Sequence, residues 1–212
     1  LWDKYPVEQV ATPEGYARNP EQVINFYNER RKQLLDVVPN AGHLGVADLE
    51  RDFNVTVVTQ NVDNLHERAG STHVIHLHGE LTKVCSSRDP YNPHFVKELA
   101  PEEYEVKLGD KAGDGTQLRP FIVWFGESVP EIETAIRYVE QADIFVIIGT
   151  SLNVYPAAGL LNYVPRAAEV YLIDPKPVDT HVMRPIHVIQ KGASEGVKEL
   201  KALLTVTQPP LP

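Results

Sequence analysis

The chain is poor in cysteine, and among its 212 residues the only thiol is Cys85. A single cysteine cannot form a disulfide within the chain, so no disulfide framework is available and a reducing, cytoplasmic compartment is expected. Structural zinc needs four ligands, and no partner for Cys85 stands at the usual spacing. We therefore expect a plain thiol at this position and no metal site, zinc included.

Positive charge is also scarce, because 20 Lys and Arg residues face 29 Asp and Glu residues, which gives a net charge of -9. An acidic protein is not attracted to phosphate, so neither nucleic acid nor an anionic membrane is expected as a partner. Basic, lysine-containing substrates are mildly favoured. No apolar run approaches the roughly 20 residues that cross a bilayer. The chain starts at Leu1 without a methionine, so we expect it to be a fragment whose upstream part would carry any targeting segment.

Short β-branched or apolar runs alternate with stretches of helical periodicity. This alternation predicts an α/β fold with a Rossmann-like, doubly wound parallel sheet that helices cover on both faces. The predicted strands lie within residues 54–59, 73–79, 118–126, 142–151, 169–174 and 186–190. The predicted helices lie within residues 20–38, 41–53, 130–141, 156–164 and 192–204. Residues 1–20 are predicted to be irregular, and the polar stretch 86–117 is predicted to be an insertion or a small module.

Polar clusters follow three of the predicted strands. TQNVDNLHERAG brings Gln60, Asn61 and Asp63 together directly after the apolar run VTVV, GTS follows FVII, and DPK follows VYLI. Ligands of parallel α/β sheets bind at the carboxyl ends of the strands, so three clusters at that edge predict a ligand site. The usual dinucleotide fingerprint GxGxxG is absent from the sequence.

Two pairs of residues could carry chemistry. His76 and His78 lie two apart in VIHLHGEL; a histidine there suits proton transfer, and the pair could also hold a metal, although His76 is more typical of a hydrogen-bonded strand histidine. Tyr27 and Arg30 lie three apart and share a helix face. A phenol and a guanidinium together can bind a carboxylate, but the spacing alone favours a solvated face of a charged helix.

The combination of TQNVDNLHERAG, HGEL, FIVWFGE, GTSLNVYPAAGL and GASEG, in this order, resembles the sirtuins, which are NAD-dependent protein lysine deacylases. ATPEGYARNP followed by NFYNERR resembles class III sirtuins, which remove acidic acyl groups such as succinyl and malonyl. The resemblance implies that Tyr27 and Arg30 bind the acyl carboxylate and that Ala11 leaves room for the longer acyl chain. It overturns the solvated-face interpretation of that pair.

The same resemblance implies the other roles. His78 is the catalytic base: the acyl oxygen attacks the nicotinamide ribose, nicotinamide leaves, and the histidine deprotonates a ribose hydroxyl, so that the products are free lysine, nicotinamide and O-acyl-ADP-ribose. The residues that would bind NAD are Gln60, Asn61, Asp63, Gly149, Thr150, Ser151, Asp174 and Ala193. The residues that would pair with the acylated peptide of the protein substrate by strand addition are Val123, Phe125, Gly126 and Glu127.

The sequence departs from the sirtuin pattern at three places. The family's opening strand and glycine-rich loop have no counterpart, so either the natural protein carries them upstream or the chain does not bind NAD normally. The two Cys-x-x-Cys pairs are reduced to Cys85, so the small module must be stabilised by its own packing. Asp174 stands where an Asn commonly contacts the adenosine ribose, although a carboxylate can also accept from hydroxyls.

The resemblance divides the chain into domains and leaves alternatives for its function. Residues 36–83 and 119–204 would form the Rossmann-like domain, with 1–35 as the helical part and cofactor loop, 84–118 as the degenerate zinc-module-like insertion and 205–212 as a tail. The alternatives are a general deacetylase, a metal-dependent hydrolase that uses His76 and His78, and a non-catalytic module that binds acyl-peptide or nucleotide.

Overall fold

The computed structural model describes residues 4–149, 157–177 and 184–206. Eight α-helices lie within these ranges: α1 (Val7–Val10), α2 (Pro13–Arg18), α3 (Pro20–Leu34), α4 (Ala41–Asp48), α5 (Leu65–Ala69), α6 (Ile132–Val139), α7 (Ala157–Leu160) and α8 (Ala193–Val206). Eight strands lie within them as well: β1 (Val57–Thr59), β2 (Val74–His76), β3 (Gly79–Ser86), β4 (Val96–Glu98), β5 (Leu118–Ile122), β6 (Ile144–Ile148), β7 (Glu169–Ile173) and β8 (His187–Ile189). Of the described helices, none is long and apolar enough to cross a membrane.

The first twenty residues contain helices α1 and α2, so the prediction of irregular structure there is wrong. Thr12 caps α2 by accepting a hydrogen bond from the backbone N–H of Gly15 at 2.9 Å, and Pro13 occupies the first turn. A side chain at Gly15 would lie 2.4 Å from the carbonyl oxygen of Gln9, so the glycine lets the two short helices pack closely. Proline and glycine were the residues that indicated a loop. In the structure Pro13 instead begins helix α2, and Gly15 lets α2 pack closely against α1.

The first long helix, α3, begins as its sequence predicts. Asn19 accepts a hydrogen bond from the backbone N–H of Gln22, and Pro20 stands in the first turn. The helix ends at Leu34 rather than at residue 38. Asn40 caps α4 as predicted, and the His43 side chain accepts from the Asn40 backbone N–H to complete a capping box.

The described strands form three small sheets, of orders β1-β2, β4-β3-β5 and β6-β7-β8. The β6-β7-β8 sheet is parallel, which confirms the predicted α/β class. The prediction that β5 belongs to the parallel sheet is wrong, because β5 and β4 both pair antiparallel with β3. The apolar run LRPFI does not by itself reveal its strand direction, and β3 was not predicted at all.

Contacts divide the chain into two compact units, residues 1–38, 59–64 and 76–130, and residues 39–58, 65–75 and 131–212. The first unit contains the β4-β3-β5 sheet, and the second contains the β6-β7-β8 sheet. One core cluster of the first unit comprises Ile24, Val84, Leu99, Val106, Ala112 and Leu118. One core cluster of the second unit comprises Leu49, Tyr171, Ile173, Ile189, Val197, Leu200 and Leu204. The predicted domain boundaries, which assigned residues 76–83 and 119–130 to the parallel-sheet domain, stay a prediction.

The predicted insertion 84–118 is fastened by hydroxyl and carboxylate groups. Ser86 donates to one carboxylate oxygen of Asp114 at 2.5 Å, and Thr116 donates to the other at 2.6 Å. The Ser86 hydroxyl also accepts from the backbone N–H groups of Arg88 and Asp89, at 3.0 and 2.9 Å. We call these contacts the Ser86–Asp114 clamp. The clamp joins the end of β3 to the loop before β5, in the same unit as the apolar core cluster around Val84.

Candidate active site

The polar segment that follows β1 is joined to the end of β2 and the turn before β3 by main-chain and side-chain hydrogen bonds. The backbone N–H of Leu77 donates to the carbonyl oxygen of Thr59 at 2.9 Å, and the buried Thr59 hydroxyl accepts from the N–H of Asn61 at 3.0 Å. The carbonyl oxygen of Asn61 lies 3.0 Å from Nδ1 of His76. Within the first unit, the segment with Gln60, Asn61 and Asp63 therefore lies beside the turn that carries His78.

Two polar atoms of this segment are buried and lack a partner. Nε2 of Gln60 and Oδ1 of Asn64 have no hydrogen-bond partner among the described residues. A buried, unpaired donor or acceptor costs about 1–3 kcal/mol, so most such groups are satisfied in native proteins. One free donor and one free acceptor can receive a ligand that carries both groups, such as a carboxamide or a pair of hydroxyls.

His76 and His78 have different surroundings. His76 is buried, contacts Asn61 through Nδ1, and has Nε2 4.0 Å from the carboxylate of Glu80, which confirms that it is a hydrogen-bonded strand histidine. His78 lies in the following turn and is half-buried. Burial lowers the pKa of His78 from its ordinary value, so the imidazole is neutral at physiological pH and can accept a proton.

The position of His78 depends on the glycine beside it. Gly79 has a φ of 87°, and a Cβ there would lie 2.1 Å from the carbonyl oxygen of Phe121. The carbonyl oxygen of His78 accepts from the N–H of Val123 at 2.9 Å. The turn that carries His78 therefore packs closely against β5, the strand that precedes the predicted peptide-binding segment.

Tyr27 is 1% exposed and both hydrogen-bonding functions of its hydroxyl are used. The hydroxyl donates to the carbonyl oxygen of Val10 at 2.9 Å and accepts from Nε1 of Trp124 at 3.0 Å. Burial raises the pKa of Tyr27 to about 12, so it remains a protonated donor. The neighbouring Ala11 is 5% exposed, and its carbonyl oxygen accepts from the N–H of Phe125 at 3.0 Å.

Arg30 lies on the same helix as Tyr27 and is partly exposed. Its guanidinium carbon lies 5.9 Å from the centre of the Phe26 ring. Burial has the largest effect on the pKa of Tyr27 and raises it, and the hydrogen bond from Trp124 has the second largest effect. The positive charge of Arg30 comes third and lowers this pKa. The two residues predicted to bind a carboxylate are therefore electrostatically coupled in the first unit.

The predicted peptide-binding residues have mixed surroundings. Phe125 is 67% exposed, and Gly126 forms a turn with a φ of 89°. The Glu127 carboxylate instead receives two hydrogen bonds from the Arg119 guanidinium, at 3.0 and 3.1 Å, and one from the N–H of Trp124 at 2.8 Å. Strand pairing of Val123–Glu127 with a peptide stays a prediction, and Glu127 acts inside the protein.

Sequence reasoning missed Arg119 and Trp124. Arg119 is 4% exposed, and its guanidinium lies 3.8 Å from the Trp124 ring centre. Burial alone would lower the pKa of Arg119, but its hydrogen bonds and charge pairing with Glu127 raise it. The available signal was a charged residue inside the apolar run LRPFI, since a buried charge requires a partner.

The second unit places two predicted cofactor residues at the ends of adjacent parallel strands. Gly149 follows β6 with a φ of 66°, and its N–H donates to the carbonyl oxygen of Ile173 at 3.1 Å. Asp174 follows β7 and accepts from the N–H of Lys176 at 2.8 Å. Ala193 is the first residue of α8. The other two predicted cofactor-loop residues, Thr150 and Ser151, lie outside the described residues.

A parallel sheet with polar loops at its strand ends, as in the second unit, is typical of nucleotide-binding α/β proteins. The first unit separately carries His78, a histidine suited to proton transfer. A family model described as the Sir2 family matches residues 1–156. The chain therefore belongs to the Sir2 family, and the predicted resemblance to sirtuins is confirmed.

Relatives and solved structures agree with this assignment. A Bacteroides thetaiotaomicron protein named NAD-dependent protein deacylase is 83% identical over 204 residues, covering 96% of this chain and 87% of the relative. A Helicobacter pylori protein of the same name is 46% identical over 200 residues, covering 94% and 85%. A crystal structure of a Sir2 homologue–NAD complex matches with a TM-score of 0.80 and 35% identity, covering 97% of this chain and 80% of that one.

Proposed function

We propose that the chain is an NAD-dependent protein lysine deacylase that prefers acidic acyl groups such as succinyl and malonyl. The name shared by its relatives supports the deacylase activity. The observation that supports the acyl preference is the pair on α3: Tyr27 is a buried donor whose pKa is raised to about 12, and Arg30 is a cation coupled to it. Acylated lysine side chains of proteins are the proposed substrates, and the cytoplasm is the proposed compartment.

The first unit offers groups that fit NAD. The unpaired Nε2 of Gln60 and Oδ1 of Asn64 suit a carboxamide or ribose hydroxyls, and Asn61 is fixed beside them. In the second unit, the described residues that we propose to contact NAD are Gly149, Asp174 and Ala193. When bound, NAD supplies an electrophilic ribose carbon with nicotinamide as the leaving group.

The protein's own residues then orient the substrate and move a proton. A neutral His78 can take a proton from a hydroxyl through the unprotonated nitrogen of its ring, because burial keeps its pKa low. The small side chain of Ala11 leaves room for an acyl chain, and the segment Val123–Glu127 is the proposed partner of the extended peptide.

An acidic acyl group fits the Tyr27–Arg30 pair for an electrostatic reason. In the structure the Tyr27 hydroxyl donates to the neutral carbonyl oxygen of Val10. A carboxylate is a stronger acceptor than a carbonyl, and hydrogen bonds to ionised groups contribute about 1.5–3 kcal/mol. A succinyl carboxylate near Arg30 would therefore compete with the Val10 carbonyl oxygen for the hydrogen bond from Tyr27. An acetyl group has no carboxylate that could accept this hydrogen bond.

The first test uses the full-length protein with NAD and matched succinyl-lysine and acetyl-lysine peptides, followed by mass spectrometry of deacylated peptide and O-acyl-ADP-ribose. Succinyl should be removed faster, and only in the presence of NAD. Arg30→Met should raise KM for succinyl-lysine by about tenfold or more, since a charge-assisted contact is lost, and change acetyl-lysine kinetics far less. Arg30→Lys is the matched control that keeps the charge but not the bidentate geometry. Equal effects on both substrates would remove the acyl assignment.

A general NAD-dependent deacetylase is the second candidate. It is favoured by the fact that Tyr27 already satisfies its hydroxyl within the protein, through Val10 and Trp124. Equal kcat/KM for the two peptides would select this candidate, and no turnover of either would select a non-catalytic binding module.

A further inference from the structure

Trp124 joins the predicted acyl-binding residues to the predicted peptide-binding segment. It is 2% exposed, and its Nε1 donates to the Tyr27 hydroxyl at 3.0 Å. Its backbone N–H donates to Glu127 at 2.8 Å, and the Arg119 guanidinium stacks 3.8 Å from its ring centre. The next residue, Phe125, donates its N–H to Ala11.

The chemistry of the indole sets the role of the phenol. An indole N–H is a donor only, so Trp124 takes a lone pair of the Tyr27 oxygen and cannot accept the Tyr27 proton. The proton is therefore directed to an acceptor elsewhere, which in this structure is the carbonyl oxygen of Val10 at 2.9 Å. Without the indole, the hydroxyl could rotate and accept from other groups.

The indole is itself held from two sides. Glu127 fixes the backbone of Trp124, and Arg119, which is 4% exposed and ion-paired with Glu127, covers the ring face. Because the indole is held in place, its N–H always donates to the Tyr27 oxygen from the same direction. The Tyr27 hydroxyl is therefore already oriented before a substrate binds, and binding does not lose conformational entropy to orient it.

We propose that Trp124 is a specificity-determining positioning residue, which holds Tyr27 as a hydrogen-bond donor toward an acidic acyl group. This inference rests on the proposed function, because it requires Tyr27 and Arg30 to bind the acyl carboxylate. An acetyl group carries no second acceptor at that position, so its turnover does not use this arrangement. The preference for succinyl over acetyl therefore depends in part on Trp124, although Trp124 itself does not contact the acyl carboxylate.

The test compares kcat/KM for succinyl-lysine and acetyl-lysine peptides in the full-length enzyme. Trp124→Phe keeps an aromatic ring beneath Arg119 but removes the N–H. We expect the succinyl-to-acetyl ratio to fall about fivefold, mainly through KM for succinyl-lysine, because one neutral hydrogen bond is lost. Tyr27→Phe is the matched control, and the double variant should lower the ratio no further than Tyr27→Phe alone.

The outcomes separate this inference from the proposed function. A lower ratio in Arg30→Met and Tyr27→Phe with an unchanged ratio in Trp124→Phe overturns the role of Trp124 alone. An unchanged ratio in all three variants overturns the acyl assignment and this inference with it. Equal losses on both peptides in Trp124→Phe would mean a structural role only. If Trp124→Phe does not fold, 3-benzothienylalanine at position 124 replaces the N–H by sulfur within the same ring shape.

Discussion

At the scale of single residues, the proposed proton transfer depends on His78, whose half-buried ring lies in the turn between β2 and β3. Burial lowers its pKa below the ordinary value of 6.5. A general base works only when deprotonated, so kcat/KM should fall as the pH drops through this lowered pKa and be level above it. We expect the acidic limb of the profile to have its midpoint below pH 6.5. A stopped assay of deacylated peptide between pH 5 and 9 measures it.

His78→Asn is the control for that profile, because it removes the base and keeps a polar side chain of similar size. It should lower kcat/KM by about 100-fold or more, as loss of a general base does. A limb with its midpoint above 6.5 would mean that a nearby negative charge, rather than burial, governs His78.

Single residues also show which parts of the site the sequence could reveal. The spacing of Tyr27 and Arg30 predicts that they share a helix face, and both residues lie on α3. Arg119 and Trp124 lie far along the chain from Tyr27. No sequence periodicity links them to it, because their contacts depend on how β5 and the residues after it fold back onto the first unit. Their partnership could not be predicted without the tertiary structure.

At the scale of elements, the Ser86–Asp114 clamp links the end of β3 to the loop that precedes β5. Hydrogen bonds from Ser86 and then Thr116 lower the pKa of Asp114 to about 2, from an ordinary value of 3.8. A carboxyl with a lowered folded-state pKa adds stability above its unfolded pKa. That stability is lost as the pH falls through the folded pKa.

Asp114→Asn should therefore lower Tm by a few degrees near pH 6 and by less near pH 2, where about half of the wild-type Asp114 carboxyl is also uncharged. Thermal unfolding followed by circular dichroism across this range tests it. The exposed Glu103→Gln is the matched control for loss of one negative charge in the same unit. A Tm difference that is independent of pH would show that the clamp does not depend on the charge of Asp114.

Elements were predicted unevenly, for physical reasons. Helices with a long apolar face or a clear cap, such as α3 and α4, were found with errors at their ends. The short helices α1 and α2 were missed because helices of 4 and 6 residues carry too little periodicity to recognise. The direction of β5 was wrong because a buried strand has the same apolar run in a parallel or an antiparallel sheet.

At the scale of the whole molecule, the net charge of -9 should influence which peptides are turned over. A negative protein attracts a cationic peptide over roughly 10 Å at 0.1 M salt, and added salt screens this attraction. Acyl-lysine peptides flanked by Lys or Arg should have a KM several-fold lower than peptides flanked by Glu. The difference should shrink when the ionic strength rises from about 0.02 M to about 0.5 M.

A neutral-flanked peptide is the control for that comparison, and its KM should change least with salt. If the preference for basic flanks persists unchanged at high salt, specific contacts rather than the overall charge select the peptide.

The fold class could be predicted from the whole chain because alternating helices and apolar strands have few stable arrangements. The assignment of segments to the two compact units could not. Residues 59–64 pack with the first unit although the chain on both sides of them belongs to the second. Such exchanges depend on long-range contacts, which local patterns do not encode.

The buried Cys85 has a consequence for chemical durability. Burial raises its pKa to about 12, so its thiol remains protonated, and only a thiolate reacts readily with peroxide. The loops beside it are joined by serine, threonine and aspartate, which peroxide does not modify. Peroxide should therefore leave the contacts that hold this small module together intact, whereas it would attack a module held together by exposed thiolates.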